Sequence, residues 1–170
     1  MSSNPALHAA LQRLERATSK LSIDDAINLI NEEIADTQNA DYKPHFQVHK
    51  ATILWTAGQT LEAIELLEQC AIEYDSIDSP QYFAGEHLLE LGHFDKAMRY
   101  LTRCIEVAES SGDGWYKDSA YLLRAYCAAK LGRFAQARQD LEKIDDDEAM
   151  NWLALDPIVS RSSIVRMLEA

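Results

Sequence analysis

A spacing of 34 residues recurs through the middle of this chain and constrains its fold more than any other feature. The segment 53–76 aligns without a gap with the segment 87–110. The matching pairs are Gly58 and Gly92, Ala63 and Ala97, Leu67 and Leu101, and Cys70 and Cys104. Each segment reads as the end of one helix, a turn at the glycine and a second amphipathic helix. A period of this length predicts stacked helix pairs, none of which can bury its apolar face alone.

A third copy of the pattern follows, with extra residues in front of it. In the segment 126–147 the same register is occupied by Gly132, Phe134, Ala137, Leu141 and Ile144. The offset from the second copy is 40 residues, so about six residues are inserted between the two. We place them in "SSGDGWYK" (110–117), which reads as a turn because Gly, Ser and Asp are turn residues.

With two helices in 34 residues and small residues at fixed offsets, the repeat resembles the tetratricopeptide repeat. Numbered from Pro44, Asp78 and Asp118, the copies cover residues 44–77, 78–111 and 118–151. The family's small residue at position 8 falls on Ala51, Gly85 and Ala125, and its alanine at position 20 on Ala63, Ala97 and Ala137. The large residue at position 24 falls on Leu67, Leu101 and Leu141, and the small residue at position 27 on Cys70, Cys104 and the larger Ile144.

The copies also depart from the family pattern. Position 4, usually Trp, holds Gln47, Gln81 and Tyr121; position 7, usually Leu, holds Lys50, Ala84 and Arg124; the closing proline is missing. The resemblance implies that positions 8 and 20 lie where the two helices of one unit cross, and that position 27 faces the next unit. Position 24 would fill the groove between units, giving one continuous core.

The resemblance implies an all-α fold, a right-handed α-solenoid of antiparallel helix pairs, and we find no linker long enough to divide residues 1–170 into separate domains. Residues 4–39 are predicted to form a degenerate leading helix pair, and residues 156–169 a capping helix. Pairs of an N-cap residue and a proline predict three helix starts, at Asn4-Pro5, Ser79-Pro80 and Asp156-Pro157. Ser22 and Asp25 resemble a capping box in front of an apolar stripe.

The charge of the chain is the second constraint. The formal net charge is −12, and the stretch 51–95 contains nine acidic residues and no Lys or Arg. Such a surface repels nucleic acid and anionic membranes, so neither is expected as a partner. Two interpretations of the stretch stay open: a solvated face that keeps the protein soluble, and a landing zone for a basic partner.

Targeting signals and cysteines both favour a cytoplasmic location. No apolar run approaches the roughly 18–20 residues of a membrane span, and the N-terminus lacks the basic-then-apolar layout of a secretory signal. Cys70, Cys104 and Cys127 fall in apolar stripes without a CxxC pair. They are expected to be small buried hydrophobes in a reducing compartment rather than a zinc or redox site.

Motifs of catalysis are missing from the chain. We find no P-loop, dinucleotide-binding loop, GxSxG elbow or HExxH. His45 and His49 stand four residues apart on a predicted helix, but no acid or third histidine stands near them in sequence. The acidic run 145–148 is interpreted as an exposed helix end or loop. We therefore expect no enzyme activity, no metal and no cofactor.

In the family that the repeat resembles, the first helix of each unit lines a concave groove into which positions 2, 5, 9 and 12 point. The resemblance places these partner-binding positions on His45, Val48, Thr52, Trp55, Ser79, Tyr82, Glu86, Leu89, Ser119, Leu122, Tyr126 and Ala129. Trp55, Tyr82 and Tyr126 offer large, rigid contact area. The alternative for each of these aromatic residues is packing against a neighbouring or terminal helix.

One subfamily can be tested by its residues. Repeats that grip the C-terminal carboxylate of heat-shock chaperones use Lys, Arg and Asn at five positions, which here hold Val48, Thr52, Phe83, Ser119 and Leu123. None of these side chains is a cation or an amide, so this co-chaperone role is not expected.

The resulting hypothesis is a non-enzymatic cytoplasmic adaptor that holds a basic protein or peptide in an acidic groove, as a monomer or weak dimer. Small acidic proteins of this kind resemble two bacterial types, an immunity protein that neutralises a basic toxin and a secretion chaperone that holds an effector. The charge leans toward the immunity protein, because complementary charge speeds association. A self-assembling scaffold is the alternative from another class.

Overall fold

The computed structural model of the protein describes residues 5–36, 42–112, 114–144 and 159–169, and these ranges contain α-helices and no β-strand. The described helices are α1 (Pro5–Thr18), α2 (Ile23–Ala35), α3 (Lys43–Thr56), α4 (Thr60–Glu73), α5 (Asp78–Glu90), α6 (Phe94–Ser111), α7 (Lys117–Lys130), α8 (Phe134–Leu141) and α9 (Arg161–Glu169). The all-α helical repeat fold is confirmed. By their internal contacts the residues group into two compact units, unit 1 (Met1–Tyr74) and unit 2 (Asp75–Ala170).

The leading helix pair, α1 and α2, joins the core of unit 1. That core combines three helices through Ala10, Leu14, Ile30 and Phe46. The start of α2 is capped by Ser22, whose hydroxyl oxygen accepts a hydrogen bond from the Asp25 backbone N–H at 3.2 Å. The same hydroxyl donates to the Asp25 carboxylate at 2.6 Å. The predicted N-cap at Ser22 is confirmed.

The turns inside the three repeats share one backbone geometry. Gly58, Gly92 and Gly132 have φ angles of +80°, +77° and +72°, in the left-handed region that favours glycine. The backbone N–H after each glycine donates back to the preceding helix at 2.8–2.9 Å, from Gln59 to Leu54, from His93 to Leu88 and from Arg133 to Ala128. This bond ends each first helix and fixes the direction in which the second one leaves.

In the second repeat the predicted crossing of α5 and α6 lies at a glycine. A Cβ atom at Gly85 would lie 2.7 Å from Leu101 Cγ and 3.3 Å from the Ala97 carbonyl oxygen. Ala97 and Leu101 are both fully buried. The two helices therefore approach so closely that a residue without a side chain is required at this crossing.

At position 27 two cysteines interact with their own repeat, and the prediction that this position faces the next unit stays a prediction. Cys70 on α4 lies against the start of its own repeat, where its thiol donates to the Pro44 carbonyl oxygen at 3.7 Å. The Asp78 carboxylate at the start of α5 acts electrostatically on Cys104 of α6. Both cysteines thus interact with the first helix of the repeat to which they belong.

The insertion between the second and third repeats lengthens a helix before it forms a turn. Helix α6 contains 18 residues and α4 contains 14. Gly112 ends α6 in the left-handed conformation, with φ of +68°. Trp115, which is 79% exposed, and the partly buried Tyr116 precede α7.

Two of the departures at position 7 have a structural reason. Lys50 on α3 donates to the Asn31 side chain on α2 at 2.9 Å. Arg124 on α7 donates to the Thr102 hydroxyl on α6 at 3.1 Å and makes a two-pronged ion pair with Asp140 on α8, at 2.7 and 2.9 Å. Each cation reaches back to the second helix of the preceding pair, so polar links replace the leucine of the family.

A helix is found where the capping helix was predicted. In α9, Ile164 is fully buried and the helix packs on α7. Arg138 of α8 donates to the carbonyl oxygen of Leu168 at 3.2 Å. The predicted start at 156–158 lies outside the described residues, as do Asn4 and the acidic run 145–148.

The predicted start of α5, with Ser79 as N-cap and Pro80 as the first helical residue, is wrong by two residues. The helix begins at Asp78 and its N-cap is Ile77, which makes no side-chain cap bond. Ser79 and Pro80 are therefore both inside the first turn, where Ser79 is buried. The prediction that residues 1–170 form a single domain stays a prediction.

Candidate functional site

The predicted groove residues divide between the two units. Four of them, His45, Val48, Thr52 and Trp55, lie on α3 of unit 1. Val48 is buried, whereas the other three keep part of their surface exposed. The Thr52 hydroxyl donates to the Val48 carbonyl oxygen at 3.1 Å, so its oxygen is tied to the helix backbone.

The histidines of α3 are both partly enclosed. Burial lowers the pKa of His45, and burial also lowers the pKa of His49, against an opposing effect of the Glu15 carboxylate. His49 Nε2 lies 3.2 Å from the Thr18 hydroxyl oxygen on α1. Both rings are thus neutral at pH 7. Across the described ranges, no three His, Cys, Asp or Glu side chains converge on a metal site.

On α5 of unit 2 the predicted groove residues are mostly packed. Tyr82 and Leu89 are buried, and the Glu86 side chain is only 14% exposed. The Tyr82 hydroxyl donates to Glu86 Oε1 at 3.1 Å, which ties the carboxylate to the hydroxyl end of the ring. Ser79 is buried as well. Glu86 is therefore the polar end of a packed surface rather than a freely moving side chain.

The ring of Tyr82 belongs to an aromatic cluster that the repeat pattern does not predict. It stacks on Tyr116, with ring centroids 4.6 Å apart, and meets Phe83 edge-on at 5.3 Å. Phe83 also meets Tyr116 edge-on, at 5.6 Å. We call Tyr82, Phe83 and Tyr116 the aromatic cluster. Burial, more than the nearby Asp78 and Glu86 carboxylates, raises the pKa of Tyr116 to about 12.

His87 lies beside this cluster and is 5% exposed. Its ring meets Phe83 edge-on, with centroids 6.4 Å apart, and its Nδ1 is 3.8 Å from Glu86 Oε2. Burial lowers the pKa of His87 to about 4. The removal of the ring from water outweighs the attraction of the Glu86 carboxylate, so His87 is neutral at pH 7 and the contact with Glu86 is not an ion pair there.

On α7, Leu122 is fully buried and Tyr126 is half-buried. The Tyr126 ring meets Phe94 edge-on, with centroids 6.3 Å apart. Lys130 Nζ lies 5.2 Å from the centroid of the same ring. A cation of the protein itself thus already uses one face of Tyr126.

The acidic stretch 51–95 is partly neutralised by residues that are distant in sequence. Glu73 pairs with Lys43 at 3.8 Å, Asp75 with Arg103 at 2.8 Å and Asp95 with Arg133 at 2.6 Å. On α4, Glu62 and Glu65 are exposed. The count of acids along the sequence therefore overstates the charge of the stretch, but an exposed acidic surface remains.

Stacked helix pairs, left-handed glycine turns and a glycine at the helix crossing define a helical repeat protein. Two family models described as tetratricopeptide repeats match the chain, over residues 81–111 and 119–147. These matches fall on the second and third predicted repeats. Residues 81–111 and 119–147 are therefore tetratricopeptide repeats, and such repeats generally bind protein or peptide partners.

Comparison with solved structures agrees with this fold. The chain is similar to the nearly identical TPR-like repeats of a Podosopora anserina protein named for kinesin light chain, with a TM-score of 0.59 and 17% identity over 84% of this chain and 75% of that chain. A second structure, of a variant form of the same repeats, gives a TM-score of 0.60, with the same identity and coverage. At this identity the likeness concerns the fold alone. No curated protein sequence matches the chain.

No helix in the described ranges is both long enough and apolar enough to span a membrane.

Proposed function

We propose that this tetratricopeptide repeat protein is a non-enzymatic adaptor that holds one basic protein or peptide partner in the cytoplasm. The observation that carries this proposal is the charge: 28 acidic residues against 16 basic ones, with Glu62 and Glu65 exposed on α4. Excess carboxylates attract a cationic partner and steer its approach. The three free, buried cysteines are consistent with a reducing compartment.

The partner is expected to touch the groove positions that keep accessible surface. These are His45, Thr52, Trp55, Glu86 and Tyr126. Val48, Tyr82, Leu89 and Leu122 are buried, so we assign them a supporting role beneath the contact surface. Trp55 and Tyr126 supply rigid aromatic area, and Glu86 supplies a carboxylate that can accept hydrogen bonds from Lys or Arg.

Within this function we favour a bacterial immunity protein that neutralises a basic toxin. An inhibitor of this kind acts by occupying its target, which requires fast and tight association rather than chemistry. Charge complementarity supplies the fast association. A neighbouring gene that encodes a basic toxin would support this choice.

The partner itself is the first thing to identify. Pull-down with the purified chain, followed by mass spectrometry, should return a protein or peptide segment of high isoelectric point. Its affinity for the chain should fall as salt rises, because salt screens the attraction between opposite charges. An acidic partner, or an affinity that does not change with salt, would contradict the proposal.

The groove assignment is tested by two variants and a matched control. Trp55→Ala and Glu86→Gln should each weaken partner affinity about tenfold or more, as expected for anchors at a binding surface. Glu109→Gln is the control, because Glu109 on α6 accepts a hydrogen bond from Tyr121 at 2.7 Å much as Glu86 does from Tyr82. Equal affinities of all three variants and the parent chain, measured by calorimetry, would show that the groove is not the binding surface.

A further inference from the structure

Helix α4 exposes two large apolar side chains. Leu61 is 76% exposed and Ile72 is 74% exposed. Residues 11 apart in a helix are separated by about three turns, so the two side chains lie on one side of α4 about 16 Å apart. Glu65 stands between them on the same side. Single apolar side chains at a protein surface are ordinary. Two of them aligned with acidic residues on one helix face are typical of a binding surface.

The remaining exposed residues of α4 are polar or acidic. We define the α4 outer face as Leu61, Glu62, Glu65, Gln69, Ile72 and Glu73, all of which are exposed. It contains no Lys or Arg, and Lys43 meets it at Glu73, with 3.8 Å between the charged atoms. The α4 outer face therefore combines two apolar anchors with three carboxylates.

Helix α6 shows what the same repeat positions look like without this pattern. Asp95, Lys96, Arg99, Arg103 and Glu106 stand there in place of Leu61, Glu62, Glu65, Gln69 and Ile72. On α6 these side chains carry both signs of charge, and two of them form the ion pair Arg103–Glu106 at 3.2 Å. The repeat fold thus accepts charged residues at the positions of Leu61 and Ile72, so packing does not demand the apolar ones.

We propose that the α4 outer face docks a basic amphipathic helix of a partner protein. Such a helix would place two apolar side chains about three turns apart against Leu61 and Ile72, with Lys or Arg between them facing Glu62 and Glu65. The occupant follows from charge complementarity and from the spacing of the anchors. This surface lies on the second helix of a repeat, so it is distinct from the groove residues of the proposed function.

A second copy of the chain fits the α4 outer face poorly. The cationic counterpart within the chain is the outer face of α6, with Lys96, Arg99 and Arg103. At the positions where α4 has its two apolar anchors, α6 carries Asp95 and Glu106. Acids placed against Leu61 and Ile72 would be desolvated without a partner, which disfavours this pairing.

The test uses a synthetic helical peptide of about 15 residues, long enough to form helix in part. It carries two leucines three turns apart and lysines on the same side; a scrambled peptide of identical composition is the comparison. Calorimetry with the full chain should show saturable binding of the amphipathic peptide, about tenfold or more tighter than that of the scrambled one. Equal binding of both peptides would mean that charge alone acts, and it would overturn the proposal.

A double variant locates the binding. Leu61→Asp with Ile72→Glu installs the residues that α6 has at these positions, and should remove the preference for the amphipathic peptide without changing helix content. Arg99→Gln on α6 is the matched surface control and should retain the preference. An unchanged preference in the double variant would overturn the proposal. The proposal would also be overturned if sedimentation showed that the parent chain is a dimer and the double variant is not.

Failure of this proposal is distinguishable from failure of the proposed function. Trp55→Ala and Glu86→Gln lie outside α4 and should leave peptide binding unchanged, whereas the α4 variants should leave contacts of the groove intact. Loss of peptide binding in Glu86→Gln would assign the peptide to the groove and overturn the α4 assignment.

Discussion

Among single residues, His87 links the stability of unit 2 to pH. Its folded pKa is about 4, because burial removes the ring from water, and an unfolded histidine titrates near 6.5. Below pH 6.5 the unfolded chain binds a proton that the folded chain does not. The free energy of unfolding therefore falls as pH falls from about 6.5 to about 4, by up to about 3 kcal/mol from this residue.

The variant His87→Gln should flatten this dependence. Its free energy of unfolding, measured by urea titration between pH 7 and pH 4.5, should fall less steeply than that of the parent chain. Carboxylates titrate in both proteins, so the difference between the two curves isolates the histidine. Parallel curves would mean that His87 takes up its proton in the folded state.

The candidate site could be predicted only in part, and the reason is visible at Tyr82. Repeat numbering placed Tyr82 and Glu86 together on the first helix of the second repeat, and the structure has them bonded at 3.1 Å. Numbering could not reveal that Tyr82 is buried, because the ring that covers it belongs to Tyr116. Tyr116 lies in the insertion, where a periodic pattern carries no information.

At the scale of helices, the ion pair between α7 and α8 is the clearest target for a stability-changing mutation. Asp140 is 3% exposed, and Arg124 holds it with two hydrogen bonds while also bonding to Thr102. Arg124→Leu restores the residue usual for the family but leaves a buried carboxylate without its cation. We expect a loss of about 3–5 kcal/mol in the free energy of unfolding.

Replacing both partners should cost much less. Arg124→Leu with Asp140→Leu also removes the buried carboxylate that the single variant leaves unpaired. Replacing a buried ion pair with apolar residues of similar volume often changes the free energy of unfolding little. The comparison of single and double variants by thermal or urea unfolding checks this. A double variant as unstable as the single one would show that the link to Thr102, rather than the buried charge, dominates.

Helices were more predictable than their ends. The glycine turns could be predicted from the repeat. The residue after each first helix adopts a left-handed backbone conformation, and glycine adopts it more readily than other residues do. The start of α5 was misplaced, since Ser79-Pro80 has the composition of a cap but lies within the first turn.

For the whole molecule, the net charge of −12 predicts opposite responses to salt. Repulsion among excess carboxylates weakens the folded state, so screening should raise the melting temperature by a few degrees from about 0.01 M to about 0.3 M NaCl. Binding of a basic partner should weaken over the same range. Exposed ion pairs such as Arg133–Asp95 oppose the first trend only slightly, since such pairs contribute about 0–1 kcal/mol.

Differential scanning calorimetry of the free chain and binding titrations at matched salt measure the two trends together. A melting temperature that falls with added NaCl would show that internal ion pairs outweigh the overall repulsion. The charge argument for a basic partner would then rest on the binding data alone.

The three buried thiols can report local opening of the folded protein. Cys70 lies in unit 1, and Cys104 and Cys127 lie in unit 2; burial raises the pKa of each to about 12. A thiol reagent attacks the thiolate, so each cysteine is inert until its surroundings open. Labelling rates under native conditions consequently report the opening of each unit separately. If residues 1–170 fold as one cooperative body, all three thiols become reactive through the same event.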